Sequence, residues 1–492
     1  MRRIVGALVA LLVSVIALTA SPVRAATPSV NTPTGVTATV AGNGALSASW
    51  NGASVRSGPP VNAYTAYTVP GGQSCVTTST SCVIRGLTNG TRYTVTVVAT
   101  NGVEQSFPSS PSAAVTVGLA RYVGAAAGRL LDTRAGTRLS AGSTTLLPVA
   151  VRVGLAANEI SAAIVNITAT QPAGAGYVSA YPSKTPTPTV SNVNVVRAGQ
   201  TVSNLATVPV GADGAIALTT SVATHLVIDL IGVYVPATNP ANGEGRFVGV
   251  APARLLDTRI ALGVTTRRPY AAGSTVTFTA TGRGGIPTTG VRAVVVNLTI
   301  ADPAGAGYAT AYPSGTARPN VSSVNIERAG QTIANSVIVP LVDGKVAVYV
   351  SMQANVIADV TGYFTAGSAS DVRGSSGYYV PINPVRVHDT RNFTKPSAGR
   401  TIAVPVLGAP GVPTSSVSAV VANITGVDPT ADGYVTAFPG GTLPTVSSLN
   451  LSRNVPIMPS HVMVGVGTGG SFRIYSQSGA HLVVDVFGWI TA

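Results

Sequence analysis

The sequence predicts an all-β protein made of four small antiparallel β-sandwiches. Short runs of alternating apolar and polar residues recur along the chain, and clusters rich in Gly, Pro, Asn and Ser separate them. Charged residues make up only 9% of the chain. No stretch beyond the N-terminus combines helical periodicity with a capping residue. A unit marked by one hexapeptide also recurs three times, and this recurrence sets the domain count.

The first 25 residues have the pattern of a secretory signal peptide. Arg2 and Arg3 precede an apolar stretch over residues 4–18, and residues 23–25 form a small-residue cleavage site. The apolar stretch is too short for a comfortable membrane span, and the C-terminus shows no sorting motif. We therefore expect an extracellular protein without an integral membrane segment after signal removal, either released or held non-covalently at the cell surface.

The chain is strongly basic. Its formal net charge is +14, and removal of the three arginines of the signal peptide lowers it to +11. This surplus favours anionic envelope polymers or acidic polysaccharides as partners; the alternative is a solubility charge spread over a large surface. Basic runs with interleaved aromatic residues are missing from the sequence, so nucleic acid is not expected as a partner.

The two cysteines, Cys75 and Cys82, lie in one short segment. Secretion permits a disulfide between them, and closing so short a loop would stabilise the domain by about 2–3 kcal/mol. A metal or redox role would need more partners than the segment supplies. We therefore expect neither a metal nor another cofactor.

Residues 31–117 form the first predicted domain, because alternating runs at 46–50, 63–69 and 92–99 are separated by turn clusters. The segment resembles a fibronectin type III domain. Pro33, Trp50 and the motif Leu-Thr-Asn-Gly-Thr-Arg-Tyr at 87–93 carry the resemblance.

The last residue of that motif, Tyr93, stands in the place of the family's tyrosine corner, and Asn89 stands where a Pro is common. The hairpin with Cys75 and Cys82 resembles a variant of secreted bacterial members. In bacteria the resemblance implies a spacer or an accessory module of an extracellular polysaccharide-active protein.

Three copies of a second kind of domain follow. The hexapeptide Arg-Leu-Leu-Asp-Thr-Arg at 129–134 recurs at 254–259 and, as Arg-Val-His-Asp-Thr-Arg, at 386–391. Its aspartates lie 125 and 132 positions apart, and so long a period marks a domain because solenoid repeats span roughly 20–50 residues. The many short strands of each copy predict an antiparallel sandwich of immunoglobulin or jelly-roll type. The copies are predicted at 119–236, 244–365 and 377–492.

The repeated unit resembles a repeat domain of secreted actinobacterial proteins. The motifs R-L-L-D-T-R and G-Y-x-x-x-Y-P, together with an ending of the type V-D-V-x-G-Y-F, carry the resemblance. It covers most of the chain. It implies a secreted, repeated architecture and no particular activity.

Charged residues at fixed places in each copy predict structural ion pairs. Each copy closes on a strand that is apolar on both faces and holds one Asp, which is expected to be buried and therefore to need a positive partner. An Arg of the hexapeptide is the natural partner; the alternative is that these groups face a ligand. The residues concerned are Arg129, Asp132, Arg134 and Asp229; Arg254, Asp257, Arg259 and Asp359; and Arg386, Asp389, Arg391 and Asp485.

Paired aromatic residues are the candidate carbohydrate-binding groups. Two rings four positions apart share one face of a strand at a separation of about 13 Å and could stack on sugar rings. Three such sites would add avidity if each bound weakly. The alternative is an aromatic stripe in the core or across the strand. The pairs are Tyr177 with Tyr181, Tyr308 with Tyr312, and Tyr434 with Phe438.

Two further recurrences are expected to be structural. An Asn-x-Thr triplet at 166–168 recurs at 297–299 and 423–425. It has the form of a glycosylation sequon, but inside a bacterial strand structural hydrogen bonds are the favoured interpretation. His225 and His481 also recur, without the clustered partners that a metal site needs.

These observations favour a binding or adhesion protein over an enzyme. The sequence has no Gly-x-Ser-x-Gly elbow, His-Glu-x-x-His helix or phosphate-binding loop, and threefold repetition fits multivalent attachment. We expect a secreted protein that binds cell-wall or extracellular polysaccharide. Two alternatives stay open: a glycan-active hydrolase or accessory module of polysaccharide degradation, and a purely structural surface stalk.

Overall fold

The computed structural model describes residues 28–42, 44–237, 243–367 and 376–492. The signal peptide expected at 1–25 lies outside these residues. The regular secondary structure of the described chain consists almost entirely of strands in antiparallel sheets, which confirms the predicted fold class. A short α-helix, α1 (Val149–Arg152), and a 3-10 turn (Ala157–Glu159) lie between two of the strands.

The first domain is a sandwich of a three-stranded and a four-stranded sheet. Its strands are β1 (Thr34–Gly42), β2 (Ala45–Asn51), β3 (Ala63–Val69), β4 (Ser74–Thr77), β5 (Ser81–Arg85), β6 (Arg92–Thr100) and β7 (Val115–Thr116). One sheet has the order β1-β2-β5 and the other β4-β3-β6-β7. The Trp50 ring packs against Tyr64 between the sheets. The Tyr93 hydroxyl accepts a hydrogen bond from the Thr88 amide at 3.0 Å, which closes the corner between two strands.

Each repeat contributes eight strands in the described residues. Repeat 1 has β8 (Ala120–Asp132), β9 (Thr144–Leu147), β10 (Ala162–Thr170), β11 (Gly176–Pro182), β12 (Val193–Val195), β13 (Thr201–Pro209), β14 (Ile216–Thr220) and β15 (His225–Pro236). Repeat 2 has β16 (Phe247–Asp257), β17 (Ser274–Thr279), β18 (Val291–Ala301), β19 (Gly307–Pro313), β20 (Val324–Ile326), β21 (Ile333–Pro340), β22 (Lys345–Val350) and β23 (Asn355–Thr365). Repeat 3 has β24 (Tyr379–Asp389), β25 (Arg400–Pro405), β26 (Val417–Val427), β27 (Gly433–Phe438), β28 (Leu449–Leu451), β29 (Ile457–Gly465), β30 (Ser471–Ser476) and β31 (His481–Thr491).

All three repeats have the same strand order. In repeat 2 one sheet runs β16-β23-β18-β21 and the other β17-β22-β19-β20, and the strands of repeats 1 and 3 follow the same scheme. Counted within a repeat, one sheet has the strand order 1-8-3-6 and the other has the order 2-7-4-5. This is the strand order of the jelly roll, an eight-stranded double sheet with two Greek keys. The structure therefore selects the jelly roll over the immunoglobulin topology.

The sheet that holds the hexapeptide is apolar on both faces in every repeat. In β10 the inward face (Val165, Ile167) belongs to the core of its own sandwich, and the opposite face (Ala162, Ile164) belongs to a core shared by all three repeats. We call this sheet the axial sheet and the other the outer sheet. The shared core consists of Ala120, Tyr122, Ala162, Ile164, Leu205, Tyr234, Phe247, Ala293, Val295, Ile338, Phe364, Tyr379, Ala419, Val421, Met463 and Ile490.

The three repeats close into a ring with pseudo-threefold symmetry. The first strand of each repeat meets the first strand of another at equivalent positions, so the contacts run in a cycle. The Tyr122 amide donates to the Gly245 carbonyl at 2.9 Å, the Phe247 amide donates to the Gly377 carbonyl at 2.8 Å, and Tyr379 pairs in register with Ala120. Contacts between aromatic side chains also join the repeats. Tyr122 of repeat 1 stacks on Phe364 of repeat 2, and Tyr379 of repeat 3 stacks on Tyr234 of repeat 1.

The first domain packs against this ring through its tyrosine-corner loop. The Asn89 side chain donates to the Pro381 carbonyl of repeat 3 at 3.2 Å. Gly90 has φ +81°, and a Cβ atom there would lie 2.5 Å from the Trp489 ring, so only glycine fits this approach. The departure of Asn89 from the common family residue therefore coincides with a contact between domains.

Candidate functional site

The hexapeptide arginine forms a two-pronged ion pair with the Asp of the closing strand. Arg129 Nε lies 2.8 Å from Asp229 Oδ1, and Arg129 Nη2 lies 3.4 Å from Asp229 Oδ2. The third nitrogen, Nη1, lies 2.9 Å from Asp132 Oδ2. Arg134 binds Asp132 from the other side at 2.6 Å. Asp229 is fully buried. The same geometry recurs for Arg254, Asp257, Arg259 and Asp359, and for Arg386, Asp389, Arg391 and Asp485.

Burial and pairing act in opposite directions on these carboxyls. Burial raises the pKa of Asp229, Asp359 and Asp485 despite the facing guanidinium. Hydrogen bonds from Arg391 lower the pKa of Asp389 to about 2. Burial is the largest single influence on the pKa of Asp257 and works to raise it, but the hydrogen bonds from Arg259 and the charges of Arg259 and Arg254 together lower the pKa. The closing-strand Asp thus carries the cost of desolvation, and the hexapeptide Asp is held ionised.

Each buried Asp also contacts the next repeat of the ring. The Ser322 amide hydrogen-bonds Asp229, the Ser447 amide donates to Asp359 at 3.4 Å, and the Ser191 amide hydrogen-bonds Asp485. The ion pairs therefore lie at the junctions between repeats. Each closing-strand Asp thus accepts hydrogen bonds both from the Arg of its own repeat and from a backbone amide of the next repeat.

The Asn-x-Thr triplets belong to the same junctions. Asn166 Nδ2 donates to the Ser322 carbonyl at 2.7 Å, Asn297 Nδ2 to the Ser447 carbonyl at 2.6 Å and Asn423 Nδ2 to the Ser191 carbonyl at 2.9 Å. All three asparagines are buried. Their side chains join neighbouring repeats.

The second ring of each expected aromatic pair is buried, which corrects the expectation of two accessible platforms. Tyr181 is 4% exposed, Tyr312 9% and Phe438 3%. The segment after the strand folds back over this ring, and the Tyr181 hydroxyl bonds Thr187 in that segment at 2.8 Å. Tyr177 is 46% exposed, so the first ring of a pair remains available while the second does not.

A different pair of aromatic residues is accessible on the surface of each of repeats 2 and 3. Tyr308 lies 5.9 Å from Tyr349 between ring centroids, and the exposed Arg318 guanidinium sits 3.7 Å from the Tyr349 ring. Val346, Val348 and Val350 point into the core, so Tyr349 points outward from the outer sheet. We call Tyr308, Tyr349 and Arg318 the outer aromatic patch of repeat 2.

Repeat 3 has the equivalent patch. Tyr434 and Tyr475 lie 6.1 Å apart, with the exposed Arg473 two residues before Tyr475 on the same strand face. Repeat 1 has Thr219 in place of the second tyrosine, so Tyr177 has no ring partner there. Sequence analysis missed Tyr349 and Tyr475. The signal was present in the alternation of β22 and β30, where a tyrosine occupies a polar-face position.

The histidines have separate environments. His225 Nδ1 lies 3.3 Å from the Thr133 hydroxyl, and His481 makes the same contact with Thr390. His461 of repeat 3 lies where the three repeats meet. Its imidazole is placed between Thr207 Oγ1 of repeat 1 and Ser336 Oγ of repeat 2, and burial lowers its pKa to about 3.

Two further results concern the whole described chain. Cys75 and Cys82 are joined by a disulfide that links β4 and β5, which belong to opposite sheets of the first domain. In the described ranges, no group of three or more His, Cys, Asp or Glu side chains is arranged to hold a metal ion. Nor does any helix in those ranges have the length and apolarity to cross a membrane.

Comparison with known proteins identifies the first domain. The fibronectin type III family matches residues 31–115. This match confirms the domain predicted at the start of the chain. A search of curated proteins found no match to this chain.

Several solved structures are similar to parts of the chain. The twitchin kinase region from C. elegans is 26% identical over 18% of this chain and 17% of its own, with a TM-score of 0.17. The two fibronectin type III domains of chicken tenascin are 16% identical over 39% of this chain and 99% of theirs, also at 0.17. Chitinase ChiA74 from Bacillus thuringiensis is 15% identical over 39% and 26%, at 0.15. The chain spans only 17% and 27% of the twitchin and titin kinase structures.

Proposed function

We propose that the protein is a secreted binding protein that attaches to cell-wall or extracellular polysaccharide through the outer aromatic patches of repeats 2 and 3. The observation that carries the proposal is the Tyr308–Tyr349 pair with Arg318 over one ring. A fibronectin type III domain followed by jelly-roll repeats is consistent with a multidomain binding module.

The chemistry of the patch suits a sugar chain. Two partly exposed tyrosine rings, inclined at 43°, offer apolar faces to the CH groups of adjacent sugar rings. Arg318 adds a planar, permanently charged donor that pairs with carboxylate or phosphate groups in two-pronged geometry. An anionic polysaccharide is therefore favoured over a neutral one, in agreement with the net charge of the chain.

The ring determines how several patches would act together. Axial sheets face the shared core, so outer sheets face away from it and the patches of repeats 2 and 3 point in different directions. Patches that point in different directions bind two separate polymer strands more readily than they bind one flat polymer surface together. The gain in avidity then comes from bridging strands within a network. The closed ring also favours a compact binding head over an extended stalk.

The test is retention of the purified mature protein on insoluble cell wall and on acidic and neutral polysaccharides at low salt. Tyr308→Ala with Tyr349→Ala, and Tyr434→Ala with Tyr475→Ala, should each weaken retention, and all four together should abolish it. Tyr177→Ala is the matched control, since that ring has no aromatic partner, and it should have a smaller effect. Retention that survives all four substitutions would refute the patches, and release of soluble sugar would instead support the hydrolase alternative.

A further inference from the structure

A cavity of about 390 Å³ opens between repeats 1 and 2, and Tyr308, Tyr349 and Arg318 of the outer aromatic patch are not among its lining residues. Its repeat 1 wall is the Ala125–Ala126–Ala127 bulge of β8 with Ile231 opposite. Its repeat 2 wall consists of Tyr312, Pro319, Val321, Ile338 and Pro340, among others. The exposed Ala126, Thr316 and Ala317 line its mouth. This volume lies within the roughly 300–1,000 Å³ of small-molecule pockets.

The cavity is much larger than its equivalent between repeats 2 and 3. Every first strand bulges between its two paired segments, and the bulge leans on the following repeat. In repeat 2 the positions of Ala125 and Ala127 are held by Val250 and Pro252, and the equivalent junction with repeat 3 retains only about 20 Å³. Alanines at these positions in repeat 1 thus leave open a space that Val250 and Pro252 fill at the junction between repeats 2 and 3.

The third junction retains a cleft of about 560 Å³. Between repeats 3 and 1 the equivalent cleft is bordered by Gly44, Thr88 and Asn89 of the fibronectin type III domain. Among the described residues, none of the fibronectin type III domain lines the cleft between repeats 1 and 2. That cleft also has no charged side chain in its described lining, whereas Lys184 lines the cleft between repeats 3 and 1.

The lining defines the chemistry of a ligand. No charged side chain lines the cavity, and its walls are mostly alanine, proline and β-branched residues. Asn166, Ser323 and Ser336 are the polar side chains deeper in the cleft. A charged molecule would lose its hydration there without a counter-charge, whereas an apolar body with one hydrogen-bonding group matches the walls. We propose that this cleft binds an uncharged, mainly hydrocarbon small molecule, such as a neutral single-chain lipid.

The test uses the full mature chain and the neutral fluorescent probe N-phenyl-1-naphthylamine, with displacement by a monoacylglycerol or by the fatty acid of equal chain length. We expect saturable probe binding, and displacement by the neutral lipid at a concentration at least tenfold lower than by the carboxylate. Ala125→Val combined with Ala127→Pro copies the closed junction of repeat 2 and should weaken probe binding at least tenfold. Unsaturable binding, or equal displacement by both lipids, would overturn the proposal.

A second pair of variants keeps the test decisive if the double variant fails to fold. Ala126→Trp places a large ring at the cavity mouth, while Ala251→Trp makes the same change at the equivalent exposed position of repeat 2. Probe binding should fall at least tenfold for Ala126→Trp and remain unchanged for Ala251→Trp. Equal effects of the two substitutions would place the probe elsewhere and reject the cleft.

Discussion

Asn166 of repeat 1 donates its side-chain amide to the carbonyl of Ser322 in repeat 2 at 2.7 Å, although 156 positions separate them. Equivalent bonds join repeat 2 to repeat 3 and repeat 3 back to repeat 1. A set of bonds that returns to its starting repeat requires a closed ring. In this ring a buried Asp, its Arg and a neighbouring Ser and Asn form one polar junction.

Replacing Arg129 should destabilise the protein far more than replacing the exposed Arg134. Arg129→Ala leaves the fully buried Asp229 without its guanidinium, and loss of one partner of a buried pair costs about 3–5 kcal/mol. Arg134→Ala removes an exposed partner of Asp132 and should cost about 0–1 kcal/mol. Urea unfolding of the two variants measures the difference, and equal losses would show that the buried pair does not brace the repeat.

Repeat 3 lacks one junction donor, and restoring it should stabilise the protein. Asn335 Nδ2 donates to Asn166 Oδ1, and Asn204 makes the same bond to Asn423. Ser460 holds this place in repeat 3, and the buried Asn297 Oδ1 has no hydrogen-bond partner among the described residues. Ser460→Asn should therefore raise the free energy of unfolding by about 1 kcal/mol.

The reciprocal substitution is the control for that prediction. Asn335→Ser removes the donor to Asn166 and the acceptor for the Leu205 amide. It should lower stability by about 1–3 kcal/mol. Thermal or urea unfolding of both variants reports the pair of changes. A loss of stability in both directions would mean that packing volume, and not the missing donor, governs this position.

Acid should weaken the ring through His461. Burial lowers the pKa of His461 to about 3, whereas the unfolded chain has a histidine pKa near 6.5. Its side-chain partners are the hydroxyls of Thr207 and Ser336, and neither offers a charge to an imidazolium. A lowered histidine pKa gives stability that is complete above about pH 6.5 and is lost as the pH falls, by about 1.4 kcal/mol per pH unit.

The variant His461→Leu isolates this effect, because Leu205 holds the equivalent place in repeat 1. The stability lost between pH 6.5 and 4.5 should be about 2 kcal/mol smaller in the variant than in the wild type. The raised pKa values of Asp229, Asp359 and Asp485 act in the opposite direction, but equally in both proteins. Parallel pH profiles of the two proteins would contradict the prediction.

The fibronectin type III domain should detach when Gly90 gains a side chain. A Cβ atom there would lie 2.5 Å from Trp489, so Gly90→Ala should release the domain from the ring without unfolding the repeats. The control is Gly86→Ala, which has a similar positive φ and nothing within 4 Å of the added atom. Small-angle scattering should show a larger radius of gyration for Gly90→Ala alone. Equal radii for both variants would show that this contact does not hold the domain.

The sequence predicts the strands and the first domain well because both depend on local patterns. Alternation marks β3 and β6, and the motif ending at Tyr93 marks the tyrosine corner. The choice between immunoglobulin and jelly-roll order could not be predicted, because alternation determines which face a residue occupies and not which strand lies beside it. The burial of Tyr181 under the segment that follows β11 could not be predicted either, because that segment has no periodic pattern of apolar residues.

The ring left a trace in the sequence. Strands such as β15 and β18 are apolar on both faces, which requires a cover on each side. One sandwich partner covers only one face. The second cover is the other two repeats, and residues such as Ile164 and Val295 form it. Recurrent Asn residues at 166, 297 and 423 are a second trace, because buried amides need partners that a single repeat does not supply.

The most direct test of the closed ring is to cleave the segments that join the repeats and to measure the molecular mass of the product. Specific protease sites would replace residues 238–242 and 368–375, which join the repeats in the chain, and the cleaved protein would be examined by analytical ultracentrifugation in native buffer. The shared apolar core and the cyclic hydrogen bonds predict a single particle of unchanged mass that separates into three fragments only in denaturant. Separation of the fragments in native buffer would contradict the ring.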